Sequence, residues 1–162
     1  LKDMWDFARY VNSGKEVKLI CSASFTENKL GLLGYEEKYG FKLKDSQLII
    51  LSSGNTAEML KALNEGTSGV NASLVYGTDG ALDKMGLVVL EDPLHVPPVY
   101  LPTPVIRGEV LRAYPQIEDM LRPVFESLTL EKLQKLNSQV AYDGRDATAV
   151  AKEYLRDNGF LK

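Results

Sequence analysis

Short apolar runs alternate with helix-like patterns along the first half of the chain. The runs that predict buried strands are residues 17–22, 47–51, 72–76 and 87–90. A helix is predicted over residues 28–39 with Gly40 as its end, and a second helix from the capping residue Asn55 to Gly66. Strands that alternate with helices are typical of a parallel sheet with helices on both faces, so the pattern predicts an α/β fold.

A proline-rich stretch follows these elements. Its prolines are Pro93, Pro97, Pro98, Pro102 and Pro104. Because proline has no backbone N–H donor, the stretch is excluded from helix and can join a sheet only at an edge. We interpret residues 99–107 as a stiff crossing between two parts of the chain, with a short strand at 105–106.

The last third of the chain is predicted to be helical. One helix covers residues 109–113, the next begins at Pro115, and two more begin after the capping residues Thr129 and Asp146. Amphipathic helices need a surface against which to bury their apolar faces. We therefore divide the chain into three parts: an α/β ligand-binding lobe at 1–98, the crossing at 99–107, and a helical tail at 108–162 that belongs to another lobe or to a swapped partner.

Composition narrows the classes of function. The chain has 162 residues, of which 44% are hydrophobic, and a formal net charge of -3. This mildly acidic globular composition lacks the basic stripe of a nucleic-acid-binding protein, so no nucleic acid partner is expected. No apolar stretch approaches the roughly 20 residues of a membrane span. The chain starts at Leu1 without a visible leader, and we expect it to be a trimmed or excised piece.

Residues for catalysis are scarce. The chain has one cysteine, Cys21, and one histidine, His95, which excludes an intrachain disulfide and a Cys/His zinc site. Cys21 lies in an apolar run and is interpreted as a buried, inert thiol. No nucleophile–base pair or metal cluster can be assembled from these residues. We expect a protein that is not an enzyme, with no catalytic residue, metal or cofactor.

Two tyrosines occupy positions suited to ligand binding. Tyr76 ends a predicted strand, and ligands of α/β proteins bind beyond the carboxyl ends of parallel strands. Tyr100 stands in the proline-stiffened crossing. Rings held in this way could surround a quaternary ammonium group by cation–π attraction. The alternative, that both rings only pack, stays open at this point.

Several motifs together resemble one family. They are YGTDG at 76–80, LVVLED at 87–92, PPVY at 97–100, PVIR at 104–107 and LNSQV at 136–140, with further matches at 25–27, 31–32, 39–40, 150–155 and 159–161. In these residues the chain resembles the substrate-binding proteins of ABC importers for glycine betaine, choline and related osmoprotectants. The resemblance implies a type II periplasmic-binding-protein-like lobe with a parallel-rich sheet, followed by a helical tail.

The resemblance also implies roles for individual residues. It implies that Tyr76 and Tyr100 line an aromatic box for the cation, and it extends the ligand-binding set to Thr78, Asp79, Phe25 and Asn28. For Asp79 the residues themselves favour a turn-capping role through its own backbone. The family often has an Arg and an Asp where this chain has residues 28–30, and neither is present here. Choline, another cation, or no tightly bound ligand are therefore left open beside betaine.

The resulting functional prediction is a non-catalytic solute-binding component, or a fragment of one, of an ABC importer for quaternary amines. The implied partners are a small quaternary-amine ligand and the ABC permease, and the implied location is periplasmic or extracytoplasmic at the membrane. Because the tail helices lack a surface to cover, a homodimer formed by domain exchange is also expected. The alternative is a stand-alone ligand-sensing or oligomerisation module that reuses this lobe without transport.

Overall fold

The structure is a computed structural model that describes residues 1–161, including every side chain in that range except that of residue 83. The chain divides into two compact units, which we call unit 1 (Leu1–Val99) and unit 2 (Tyr100–Lys162). None of the helices within residues 1–161 is long and apolar enough to pass through a lipid bilayer.

Unit 1 contains three strands and five α-helices in its described residues. In chain order these are α1 (Met4–Asn12), β1 (Leu19–Ser22), α2 (Ala23–Glu27), α3 (Leu32–Tyr39), β2 (Leu48–Leu51), α4 (Thr56–Glu65), β3 (Ala72–Ser73) and α5 (Ala81–Lys84), with short 3-10 turns at Asp45–Gln47 and Thr67–Gly69. The sequence patterns did not include α1, although the side chain of Asp3 caps its first turn by accepting from the N–H of Asp6 at 2.8 Å.

The strands form one parallel sheet in the order β2-β1-β3. Leu19 of β1 aligns with Leu48 of β2 on one side and with Ala72 of β3 on the other. The central strand β1 is buried along its whole length, as a strand with neighbours on both sides should be. The predicted α/β class with a parallel sheet is confirmed.

Several details of the predicted strands are wrong. Of the strand predicted at 72–76, only Ala72–Ser73 forms, so Tyr76 lies beyond the strand and not at its end. Residues 47–51 were expected to be fully buried, but β2 is an edge strand and the Ile50 side chain is 51% exposed. The predicted strands at 87–90 and 105–106 do not form in the described chain, and Val88 and Val105 are 73% and 95% exposed. An apolar run becomes a strand only when a neighbouring strand takes up its backbone hydrogen bonds.

Helix ends follow the local signals closely. Gly40 ends α3 in the left-handed conformation at φ +69°, a region that favours glycine. The side chain of Asn55 caps α4 by accepting from the N–H of Ala57 at 3.2 Å. The helix predicted at 28–39 is shorter in the structure, where α3 begins at Leu32.

The core of unit 1 lies on both sides of β1. The buried side chains of its main cluster are Phe7, Ala8, Val17, Leu19, Cys21, Leu32, Tyr39, Phe41, Leu43 and Val96. On the other face Ile20 packs with Met59 and Val70. Cys21 is completely buried, and burial raises the pKa of its thiol to about 11, which agrees with the prediction of an inert thiol.

Unit 2 is helical. Its helices are α6 (Gly108–Ala113), α7 (Gln116–Ser127), α8 (Leu130–Ala141) and α9 (Ala147–Asp157). Thr129 and Asp146 cap α8 and α9 as predicted. A hydrogen bond of 2.7 Å between the hydroxyls of Ser127 and Tyr154 joins the end of α7 to α9. Among the unit 2 residues that the structure describes, only Ser138 and Val150 are buried.

Candidate ligand-binding site

The carboxyl ends of the three strands meet at one edge of the sheet in unit 1. β1 ends at Ser22, β2 at Leu51 and β3 at Ser73, and all three strands run in the same direction. This edge is where parallel sheets bind ligands, because the loops that follow the strands converge there. Most of the residues proposed from the sequence as ligand-binding groups follow β1 or β3, so they belong to this edge.

Tyr76 presents its ring from a tight turn shortly after β3. The N–H of Leu74 still bonds to the carbonyl of Ile20, at 2.9 Å, so the chain stays attached to the sheet almost to Tyr76. The Tyr76 side chain is 57% exposed. The side chain is therefore not enclosed within unit 1.

Asp79 holds the backbone of this turn. Its carboxylate accepts from the N–H of Tyr76 at 2.9 Å, and its own N–H donates to the Tyr76 carbonyl at 2.9 Å. These two hydrogen bonds give Asp79 the turn-capping role that the sequence predicts. The Asp79 carboxylate is thus engaged with the backbone and holds the turn from which the Tyr76 side chain extends.

The start of α4 is tied to the same carboxylate. The hydroxyl of Thr56 donates to Oδ1 of Asp79 at 3.1 Å. The loop after β2 and the turn after β3 are thus linked through one side chain. Sequence reasoning missed Thr56, since the two residues are 23 positions apart and no local pattern connects them.

Phe25 and Asn28 both have structural contacts at this edge. The Phe25 ring packs at 6.2 Å from the Tyr35 ring and lies against Gly31, where an added Cβ would come within 3.0 Å of it. Asn28 is exposed, and its side-chain oxygen accepts from the N–H of Leu30 at 2.8 Å, which turns the chain between α2 and α3. A ligand role for either residue stays a prediction.

Thr78 and Tyr100 complete the predicted set. Thr78 is partly buried within the turn that follows Tyr76. Tyr100 is the first residue of unit 2, lies outside any helix or strand, and is 72% exposed. The two candidate rings, Tyr76 and Tyr100, therefore belong to different units of the chain.

The chemistry available at the edge is that of binding. It offers an exposed aromatic face, backbone groups and short hydroxyl side chains. In the part of the chain that the structure describes, no three His, Cys, Asp or Glu side chains come together as metal ligands. A tyrosine face attracts a cation because the ring quadrupole is negative above and below its plane.

A family profile matches residues 1–157. Its description is the substrate-binding domain of ABC-type glycine betaine transport systems. The chain belongs to this family. Membership confirms the resemblance deduced from the motifs, and it agrees with the expectation of a binding protein that is not an enzyme.

Relatives and solved structures agree with this assignment. The chain is 46% identical over 162 residues to the glycine betaine-binding protein YehZ of Escherichia coli (strain K12), covering 100% of this chain and 53% of the relative. The structure of apo YehZ from Escherichia coli matches 99% of this chain and 57% of its own, with a TM-score of 0.76.

A second solved structure supports the fold alone. It is described as a glycine betaine/carnitine/choline ABC transporter, is 23% identical, covers 100% of this chain and 56% of its own, and gives a TM-score of 0.81. The chain thus spans about half the length of the curated relative and of the solved structures described here. The binding-protein fold expected from the resemblance is confirmed.

Proposed function

We propose that the chain is a non-catalytic solute-binding component, or part of one, of an ABC importer for glycine betaine, choline or a related quaternary amine. The observation that supports this most is the exposed ring of Tyr76 on a turn that Asp79 fixes at the carboxyl edge of the sheet. A preorganised ring loses little conformational entropy when a ligand binds. Family membership and the printed name of the YehZ relative favour a betaine-like cation as that ligand.

Tyr76 and Tyr100 are each proposed as a ligand-binding ring that acts through its π face. Both side chains are more than half exposed, so neither ring is consumed by packing in its own unit. Thr78 is proposed to contact the ligand through the same turn. Because the chain spans about half the length of the YehZ relative, the isolated chain is expected to bind the ligand weakly.

Calorimetry with choline and glycine betaine tests the proposal. The protein would be this chain joined to the part of Escherichia coli YehZ that lies outside the matched region, with the isolated chain measured beside it. We expect clear binding by the chimera and weak or no binding by the chain alone. A chimera that binds neither compound, while folded, contradicts the proposal.

Single substitutions separate a ring effect from a hydroxyl effect. Phe keeps the quadrupole of tyrosine, whereas Leu keeps apolar area without it. Tyr76→Phe and Tyr100→Phe should leave the affinity of the chimera nearly unchanged. Tyr76→Leu and Tyr100→Leu should each weaken it by about 1–2 kcal/mol, roughly tenfold. Tyr114→Leu is the matched control, because Tyr114 is 56% exposed, caps the end of α6 and is not one of the two proposed ligand-binding rings.

The remaining partner and location follow from the same proposal. An ABC permease is the proposed protein partner, and the proposed location is periplasmic or extracytoplasmic at the membrane, where a substrate-binding domain meets its ligand before transport. A homodimer formed by domain exchange stays a prediction, supported by apolar side chains of unit 2 that remain open to solvent, such as Met120 at 68%.

A further inference from the structure

The hydroxyl of Thr56 is not the cap of the helix in which it stands. Thr56 is the first residue of α4, and the cap is Asn55, whose side-chain oxygen accepts from the N–H of Ala57 at 3.2 Å. The Thr56 hydroxyl instead donates to Oδ1 of Asp79 at 3.1 Å. A hydroxyl that donates to a carboxylate forms a hydrogen bond of the stronger, charge-assisted kind. The bond of Thr56 therefore links the start of α4 to the turn after β3.

The Asp79 carboxylate uses its two oxygens on different parts of unit 1. Oδ1 accepts from Thr56, and Oδ2 accepts from the N–H of Tyr76 at 2.9 Å. The N–H of Asp79 donates in turn to the Tyr76 carbonyl at 2.9 Å. Because a carboxylate is planar, a partner that holds one oxygen also sets the direction of the other. The backbone of Tyr76 is thus connected to Thr56 through one rigid group.

The start of α4 is itself fixed by the core. Met59 and Leu60, about one helical turn beyond Thr56, are 0% and 1% exposed. Met59 packs with Ile20 of β1, and Leu60 packs with Ala81 of α5. Side chains enclosed to this extent leave a helix little freedom to shift, because the interior is closely packed. Thr56 therefore donates its bond from a fixed point.

The ring of Tyr76 depends on its backbone for its position. Its side chain is 57% exposed, so contacts within unit 1 enclose less than half of it. The N–H and the carbonyl of Tyr76 both bond to Asp79, and the carboxylate that holds the N–H is the one that Thr56 holds. A change in the direction of this carboxylate is expected to move the backbone from which the ring extends.

We propose that Thr56 is a positioning residue for the ring of Tyr76. Its hydroxyl orients the Asp79 carboxylate, and the carboxylate holds the Tyr76 backbone, so the effect of Thr56 on a ligand passes through the ring. All three residues belong to unit 1. The inference rests on the proposed function, because it takes Tyr76 to be a ring that binds a quaternary amine.

Substitutions at Thr56 separate its hydroxyl from its shape. Thr56→Val keeps the branched shape and removes the hydroxyl, Thr56→Ala removes the hydroxyl without the branched side chain, and Thr56→Ser keeps the hydroxyl. Thr67→Val is the matched control, because Thr67 follows the other end of α4, is exposed, and bonds to Glu65 at 3.5 Å. Val17→Ala controls for a general loss of stability, since Val17 is 4% exposed and precedes β1, away from the carboxyl edge of the sheet.

The first measurement needs no ligand. Amide hydrogen exchange in the chain itself should become faster at Tyr76, by about threefold or more, in Thr56→Val and Thr56→Ala, beyond any change at the Cys21 amide of the central strand. Thr56→Ser and Thr67→Val should leave the Tyr76 rate as it is. Unchanged exchange at Tyr76 in a folded variant without the hydroxyl overturns the proposal, and so does equally fast exchange in Thr56→Ser.

The second measurement is affinity in the chimera described above, for choline or glycine betaine, whichever the parent binds more tightly. Thr56→Val should weaken binding by about threefold or more, whereas Thr56→Ser should bind like the parent. Val17→Ala should lower the melting temperature and leave the affinity unchanged. When Tyr76→Leu is already present, adding Thr56→Val should have no further effect on affinity, because the ring through which Thr56 acts is gone.

The outcomes distinguish the positioning role from the proposed function. If the parent binds and Thr56→Val binds equally well, the positioning role is wrong although the proposed function stands. The same holds if Thr56→Val weakens binding as much in the Tyr76→Leu variant as in the parent. A folded parent chimera that binds neither compound contradicts the proposed function itself, together with any role of Thr56 in ligand binding.

Discussion

Unit 1 surrounds a three-stranded sheet with helices, whereas unit 2 has amphipathic helices that bury few of their side chains. In the described residues, unit 1 has completely enclosed side chains such as Met59 and Cys21, both 0% exposed, whereas the buried side chains of unit 2 are Ser138 at 9% and Val150 at 3%. The helices of both units carry similar apolar stripes in the sequence. Their difference shows that periodicity predicts a helix and its apolar face, but not whether that face becomes covered.

This difference matters because apolar burial is the main favourable contribution to folding. Unit 1 has a core of enclosed apolar side chains. Unit 2 buries fewer side chains, and its helices have caps and polar connections such as that of Tyr154 with Ser127. The predictions below test whether the two units really differ in this way.

The largest difference is expected from matched leucine truncations. Leu60→Ala in α4 removes a side chain that is 1% exposed and should lower the free energy of unfolding by about 2–5 kcal/mol. Leu130→Ala in α8 removes one that is 50% exposed and should cost less than about 0.5 kcal/mol. Urea unfolding followed by circular dichroism measures both. Equal losses would contradict the comparison.

Alkaline pH should weaken unit 1 specifically. Burial raises the pKa of Cys21 to about 11 and that of Tyr39 to about 12, and it also raises the pKa of Tyr35. Above about pH 9 the unfolded chain therefore releases protons that the native chain still binds, and stability falls as pH rises, by about 1 kcal/mol per pH unit for the thiol.

The fluorescence of Trp5, the one tryptophan in the sequence, reports this transition, because it packs on Tyr39. The urea midpoint should fall steadily from pH 9 to pH 11. In Cys21→Ala the decline between pH 9 and pH 10 should be shallower. A midpoint that is constant over this range would show that the thiol and phenols titrate as freely in the native chain as in the unfolded one.

The smallest effect is expected from Tyr154→Phe in α9. It removes the hydroxyl that bonds to Ser127 and should cost about 1 kcal/mol, since the ring itself is retained. Tyr114→Phe, whose side chain is 56% exposed, is the control and should have almost no effect. If both variants unfold like the parent, the polar connection contributes nothing measurable to unit 2.

Local chemistry explains what could be predicted from the sequence. The ends of helices at Gly40, Asn55, Thr129 and Asp146 depend on one or two neighbouring residues, and all four formed as expected. The turn in which Asp79 caps Tyr76 is equally local.

Strands and long-range contacts were predicted less well. A strand depends on a neighbour that is distant in sequence, and residues 87–90 have no such neighbour in the described chain. The bonds between Thr56 and Asp79, and between Tyr39 and Asp92, join residues that are 23 and 53 positions apart. No periodicity or spacing contains that information, so the support of the candidate site became visible only in the folded chain.

The start of unit 1 lies beside Glu91, because Lys2 and Met4 bond to this residue. A segment with adjacent termini can be spliced into a host protein, or removed from it, without rerouting the host backbone. Residues 2–91 therefore begin and end at neighbouring positions, as a segment suited to transfer between proteins does. The loops after β1, β2 and β3 would move with it as one piece, with the junctions placed at Lys2 and Glu91.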